Sequence, residues 1–327
     1  MEINTEAFSD VNVNTKAPVC FGRIGVLMGG PSSEREISLK SGNAILESLR
    51  RQNLDAVAIE IKNDNPEETA ALIKSFSIDC AFIALHGRFG EDGQIQSILE
   101  GLKLRYTSSG VKSSSLAMDK VSAKKIFREN GLPVPAEAVI ERAVYSRNKK
   151  VDAGFSFPWV IKPATHGSSI GLSIAYKEAD VAAAIEKALA LDDRILVEEF
   201  IKGRELTVGI LENKPLSVIE IIPNGGIFDY QAKYSKGLTE YIVPAELDEA
   251  IARQAQKIAW EAHRLLGCSG CSRVDIILDK KNNPYILEVN TIPGFTATSL
   301  LPKAAKHAGI DFDQLCVKLL KFAYEKE

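Results

Sequence analysis

Short apolar runs alternate with stretches of helical periodicity through the first third of the chain. Residues 23–28, Val57–Ile61 and Cys80–Leu85 are almost wholly apolar, which predicts strands buried on both faces. Between them, segments at about Ile37–Arg51 and Glu67–Phe76 space their apolar residues at three and four, the stripe of an amphipathic helix. Strand and helix in alternation predict an open, mostly parallel sheet. The pattern then changes: a helix from near Met118 to Asn130, stopped by Gly131-Leu-Pro133, leads to short strands at Ala138–Ile140, Pro158–Pro163 and Leu172–Tyr176. A helix near Ala179–Ala190 and strands at Arg194–Ile201 and Leu206–Leu211 follow. Next come a long amphipathic helix at about Leu247–Leu265, a hairpin over 272–290, a loop over Thr291–Pro302, and a closing helix near Phe312–Tyr324. The chain therefore reads as α/β, becoming α+β towards its C-terminus. Residues 223–240 are too long and irregular for a simple connection and suit a lid or a disordered segment.

Composition narrows the classes. The 327 residues are 45% hydrophobic and 25% charged, with a formal charge of −3, enough for two or three domains and without the basic tract of a nucleic-acid or membrane-surface binder. No apolar run approaches the ~20 residues of a bilayer span. The first eighteen or so residues read as a polar tail without the features of a signal peptide. Five cysteines, an odd number, suit reduced thiols and a cytoplasmic location. Cys268-Ser-Gly-Cys271 lacks a second Cys/His pair at ligand spacing, so it reads as structural.

The hairpin carries the most chemistry. With its turn centred between Lys281 and Asn282, Asp275 faces Glu288, Arg273 faces Asn290, and alternation puts all four on one face. Opposed carboxylates repel unless a positive charge lies between them. An Asp, a Glu and an Asn amide oxygen are hard ligands suited to Mg²⁺, and an arginine could hold the anion such a metal delivers; the bland alternative is a solvated polar face. Lys162 interrupts an apolar strand and needs an anion, and the Gly-Ser-Ser loop after it could close backbone N–H groups over phosphate oxygens. No GK[ST] and no GxGxxG are present, which excludes a Walker loop and gives no support to a nicotinamide cofactor. Glu198 and Glu199 end a strand that either offers an adenine and ribose site or is a charged edge. Gly29–Glu34 joins a strand to a helix start, a ready anion or substrate site. His86 stands at a strand's carboxyl end, where open α/β sheets keep ligands, and either serves a site or caps its loop.

In this order the blocks resemble the ATP-grasp ligases, specifically the D-alanine:D-alanine ligases, over about residues 22–322. The matching segments are Gly29–Gly42, Leu85–Gly93, Met118–Lys120, Val160–Pro163 with Gly167–Ser169, and Glu288–Gly294. The resemblance implies an ATP-grasp fold: a polar tail (1–18), an N-terminal α/β substrate domain (19–115), a central domain with a phosphate-covering loop (116–197) and a C-terminal domain with metal site and lid (198–327). It implies ATP held by Lys120, Lys162, Ser168, Ser169, Glu198, Glu199, Ile201, Glu205 and Lys233. Two Mg²⁺ ions, replaceable by Mn²⁺, would sit on Asp275, Glu288 and Asn290. Glu34 would hold the first D-alanine's ammonium, with His86 among the substrate contacts. Arg273 and the Gly294 backbone would surround the reacting carboxyl, and Ser299 and Leu300 the second D-alanine. Glu34, Ser168 and Tyr234 would form a hydrogen-bonded trio that shuts the lid.

The implied activity is ATP-dependent joining of two D-alanines through a D-alanyl phosphate, for peptidoglycan precursors, by a cytoplasmic homodimer that binds neither nucleic acid nor membrane. His166, Cys271 and Phe295 depart from the family pattern, but none is an expected ligand. Tyr234 favours an amine over D-lactate as nucleophile, while D-serine stays open. A nucleotide-binding regulator without chemistry would lack a phosphate lysine or metal ligand, and all five are present.

Overall fold

In the computed structural model, the described residues are 20–223 and 238–325. The expected tail, Lys233 and Tyr234 lie outside them, as does most of the 223–240 segment. The first sheet comprises β1 (Ile24–Gly29), β2 (Ala56–Ile61), β3 (Cys80–Ile83) and β4 (Arg105–Tyr106) in the order β2-β1-β3-β4, all parallel. Helices α1 (Arg35–Arg51), α2 (Pro66–Ser75) and α3 (Gln94–Gly101) connect them. Alternate residues of the central strand serve two cores, which is why it reads as continuously apolar. Ile24, Val26 and Met28 pack with Ile45 and Leu49 of α1, whereas Leu27 joins Ile73, Ile95 and Leu99.

After α4 (Val111–Met118), Asp119 caps α5 (Lys120–Glu129) by accepting from the Val121 and Ser122 amides at 3.1 and 3.3 Å. The expected single helix start is thus two helices with a cap between them. Then come β5 (Glu137–Glu141), α6 (Arg142–Arg147), β6 (Trp159–Pro163), β7 (Ser173–Ala175), α7 (Glu178–Leu189) and β8 (Arg194–Glu199). Their antiparallel pairs give the order β5-β8-β6-β7, so the strand ending in Glu198 and Glu199 is interior and not a charged edge.

The third sheet takes β9 (Gly203–Leu211), β10 (Lys214–Pro223), β11 (Thr239–Ile242), β12 (Cys271–Asp279) and β13 (Pro284–Asn290) in the antiparallel order β11-β10-β9-β12-β13. One face, with Val208, Val274, Ile276 and Leu278, packs on α8 (Glu249–Leu265). Arg273 and Asp275 alternate onto the other face. The helices α9 (Leu300–His307) and α10 (Phe312–Glu325) complete the core shared with β1 and α1. Helix α9 begins inside the segment expected to be loop; Pro302 sits in its first turn, where the missing N–H has no intrahelical partner to lose.

Candidate active site

The hairpin register pairs Arg273 with Asn290 and Asp275 with Glu288, as the sequence predicts, but not by the predicted route. Nearer the turn, Ile276 pairs with Ile286 and Leu278 with Pro284, one residue out of step, and a bulge after Asp275 restores the pairing. Without that bulge Asp275 would face Leu287. Asp275 is buried and densely held: Arg273 donates through Nε and Nη2 at 2.8 and 2.7 Å, Thr207 Oγ1 at 2.6 Å and Asn290 Nδ2 at 3.2 Å. Glu288 Oε2 lies 3.3 Å from Lys120 Nζ, which also donates to the His166 carbonyl at 2.7 Å.

The described residues bring most of the predicted positions to two cavities with a common wall. The larger, about 790 Å³, is lined by Lys120, Lys162, Ser169, Glu198, Glu199, Ile201, Glu205, Asp275 and Glu288. The smaller, about 400 Å³, is lined by Glu34, His86, Ser168, Arg273, Glu288, Asn290, Gly294, Ser299 and Leu300. Glu288 borders both. So does the loop after β6: His166 and Ser169 face the larger space, Gly167 and Ser168 the smaller. Ser168 and Ser169 both adopt the left-handed region, φ 52° and 56°, a conformation uncommon outside glycine and concentrated at functional sites.

Glu34 occupies the N-cap position of α1 but does not cap it; its buried carboxylate accepts from Ser168 Oγ instead. Gly87, at φ +70°, leaves room for it, since a Cβ there would come within 2.8 Å of Glu34 Oε2. His86 is buried: Ser41 Oγ lies 3.0 Å from Nε2, and Nδ1 is 3.1 Å from the Ile292 carbonyl, so Nδ1 carries the proton. Burial would lower the His86 pKa, but Glu91, with Glu34 behind it, outweighs that and raises it.

Along the larger cavity, Lys162 Nζ lies 2.9 Å from Glu198 Oε2, and Lys124 Nζ 2.8 Å from Glu198 Oε1. Burial pushes the Glu198 carboxyl up, but the two ammonium groups prevail and hold it at about 2. Arg204 forks onto Glu220 at 2.7 and 2.6 Å at the cavity margin. Lys124, Glu91, Ser41 and Thr207 escaped the sequence reading. For Lys124 a signal existed: Lys120, Ala123, Lys124 and Phe127 form the buried i, i+3, i+4, i+7 stripe of α5, and two lysines on such a stripe call for anions.

Among the described residues, no three His, Cys, Asp or Glu side chains cluster as a metal cage. The Asp275, Glu288 and Asn290 set instead fits Mg²⁺, which binds through one or two carboxylates and takes its remaining oxygens from phosphates and water. Cys268 and Cys271 are both buried, and burial pushes the Cys268 thiol up to about 12, in keeping with a structural role for the pair.

Comparison with known families matches residues 23–70 and 62–109 to the D-ala D-ala ligase N-terminus, and 126–321 to the D-ala D-ala ligase C-terminus. The chain belongs to the D-alanine–D-alanine ligase family. It is 46% identical over 312 residues to the D-alanine–D-alanine ligase of Pelotomaculum thermopropionicum, covering 93% of this chain and 97% of that one. With the ligase of Geotalea uraniireducens it shares 48% over 301 residues, covering 92% and 95%. Among solved structures, the Bacillus anthracis D-alanine–D-alanine ligase complexed with ATP superposes with a TM-score of 0.80 at 31% identity, covering 93% of this chain and 98% of that one. The VanG D-Ala:D-Ser ligase of Enterococcus faecalis also gives 0.80, at 30% identity, covering 92% and 99%. The three sheets are thus those of an ATP-grasp ligase. Among the described residues no helix is long and apolar enough to cross a membrane.

Proposed function

We propose that the protein joins two D-alanines to D-alanyl-D-alanine at the expense of ATP, through a D-alanyl phosphate, releasing ADP and phosphate for peptidoglycan precursor synthesis. The observation that carries this reading is the common wall: Glu288 and the loop around Ser168 border both a nucleotide-sized cavity and a smaller polar one. A phosphoryl group can pass between such spaces without entering bulk water, where an acyl phosphate would be lost to hydrolysis.

Each residue's part follows from its chemistry. Lys120 and Lys162 supply positive charge for the phosphates, with Ser168 and Ser169 closing over them. Glu198, Glu199, Ile201 and Glu205 receive adenine and ribose. Asp275, Glu288 and Asn290 would hold two Mg²⁺ ions, with Mn²⁺ able to substitute, which when bound neutralise charge gathering on the transferred group. Glu34 and His86 orient the first D-alanine, Glu34 by taking its ammonium. Arg273, now on Asp275, lies in the smaller cavity and with the Gly294 amide can steady the carboxyl oxygen as it becomes an oxyanion. Ser299, Leu300 and the start of α9 accept the second D-alanine, whose free amine displaces phosphate from the acyl carbon. Lys233 and Tyr234, in the proposed lid, would complete the phosphate contacts and the Glu34–Ser168 trio. The reading includes units at 19–115, 116–197 and 198–327 and a cytoplasmic homodimer.

A second reading, D-serine as second substrate, draws on the equal likeness to the D-Ala:D-Ser ligase structure. ATP-dependent phosphate release across D- and L-amino acids and D-lactate, with products weighed by mass spectrometry, tests both. D-Alanyl-D-alanine as chief product is expected. D-Alanyl-D-serine in its place would favour the second reading, and release that needs no D-alanine would overturn both.

A further inference from the structure

Glu198 is 2% exposed and carries a lysine on each carboxylate oxygen, yet the two lysines differ in surroundings. Lys162 reaches the wall of the nucleotide cavity. Lys124 lines neither cavity and is 1% exposed, enclosed beneath α5. Another acid nearby, Glu137, faces Glu198 across the β5–β8 pair and has its own cation, Arg128, at 2.6 Å. Lys124 and Lys162 therefore share one carboxylate, one lysine on each oxygen.

We propose that Lys124 is a positioning residue that acts as the standing counter-ion of Glu198, releasing Lys162 to the phosphates of the nucleotide. The inference rests on the ATP-binding reading above. When Lys162 turns to a phosphate, Glu198 keeps a neutral pair with Lys124. Without Lys124 the same movement would strand a buried carboxylate, a cost that opposes nucleotide binding. Lys162 would then stay on Glu198. Two lysines on one acid thus make Lys162 available, where one lysine would be a closed ion pair.

The test compares ADP binding by calorimetry and steady-state kinetics in the full chain carrying Lys124→Met, Glu198→Gln, or both. Lys124→Met should weaken ADP binding and raise the KM for ATP by at least roughly tenfold, with the KM for D-alanine within about twofold of wild type. In the Glu198→Gln background the same change should move ADP affinity by less than about twofold, because no charge is left to strand. A lysine that merely packs would cost the same in both backgrounds. If Lys124→Met does not fold, Glu198→Gln should restore the fold, and the single Glu198→Gln variant and the double variant should then bind ADP alike; a double variant that also fails to fold, or binds ADP much more weakly than Glu198→Gln alone, overturns the proposal. Unchanged ADP affinity in Lys124→Met overturns it too. Absence of ADP binding by the wild-type chain would instead remove the ATP-binding reading itself.

Discussion

Glu288→Gln separates chemistry from fold most sharply. Gln keeps the volume and the β12–β13 ladder, and the Lys120 contact it weakens is a 3.3 Å pair whose acid side chain is 19% exposed. Lys120, though buried, keeps its bond to the His166 carbonyl, so the loss should stay within about 3 kcal/mol and melting should fall by less than ~10 °C. Turnover should respond very differently. A full charge ~4 Å from a developing charge, at an effective dielectric of about 20, is worth ~4 kcal/mol, which corresponds to roughly a thousandfold in rate. ADP release is followed with saturating D-alanine at matched magnesium, with thermal melting alongside. ADP release within about threefold of wild type would refute the metal and phosphoryl-transfer role. A melting loss above ~10 °C would refute the separation of chemistry from fold.

Ser168→Ala removes the hydroxyl that meets the Glu34 carboxylate, and kcat should fall about tenfold with melting unchanged, read from phosphate release and calorimetry. Gly203→Ala would put a Cβ 1.9 Å from the Leu278 carbonyl within the β9–β12 ladder, so a loss of at least ~3 kcal/mol is expected in urea unfolding. His263 is buried, and burial lowers its pKa to about 4 from 6.5. Between those values the unfolded chain binds the proton and the folded chain does not, so stability should fall as pH drops from 6.5 towards 4, by up to about 3 kcal/mol. His263→Gln should flatten that part of the stability curve in unfolding titrations.

The parallel sheet was legible because β1 and β3 are apolar throughout, β2 is apolar but for Glu60, and the helices between them keep a 3.6 period, patterns set by neighbours in the chain. The family blocks were legible for the same reason, while the facing of Asp275 and Glu288 was predicted from a turn register that the structure does not use. The bulge that makes this facing real was not legible: nothing local in 284–290 marks the one-residue shift between Asp275 and Ile276 that the β12–β13 ladder contains. Helix α9 hid behind Pro302, and the interior place of β8 depended on β5 pairing with it across more than fifty residues.

By itself, then, the sequence determined which side chains could carry charge and metal, and on which face of each element they lie, because periodicity and residue chemistry are short-range. Only the tertiary structure decided that Glu288 and the Ser168 loop stand between two cavities and that Lys124 shares Glu198 with Lys162. Those meetings join residues remote in sequence, and their energies come from burial, which no local pattern records.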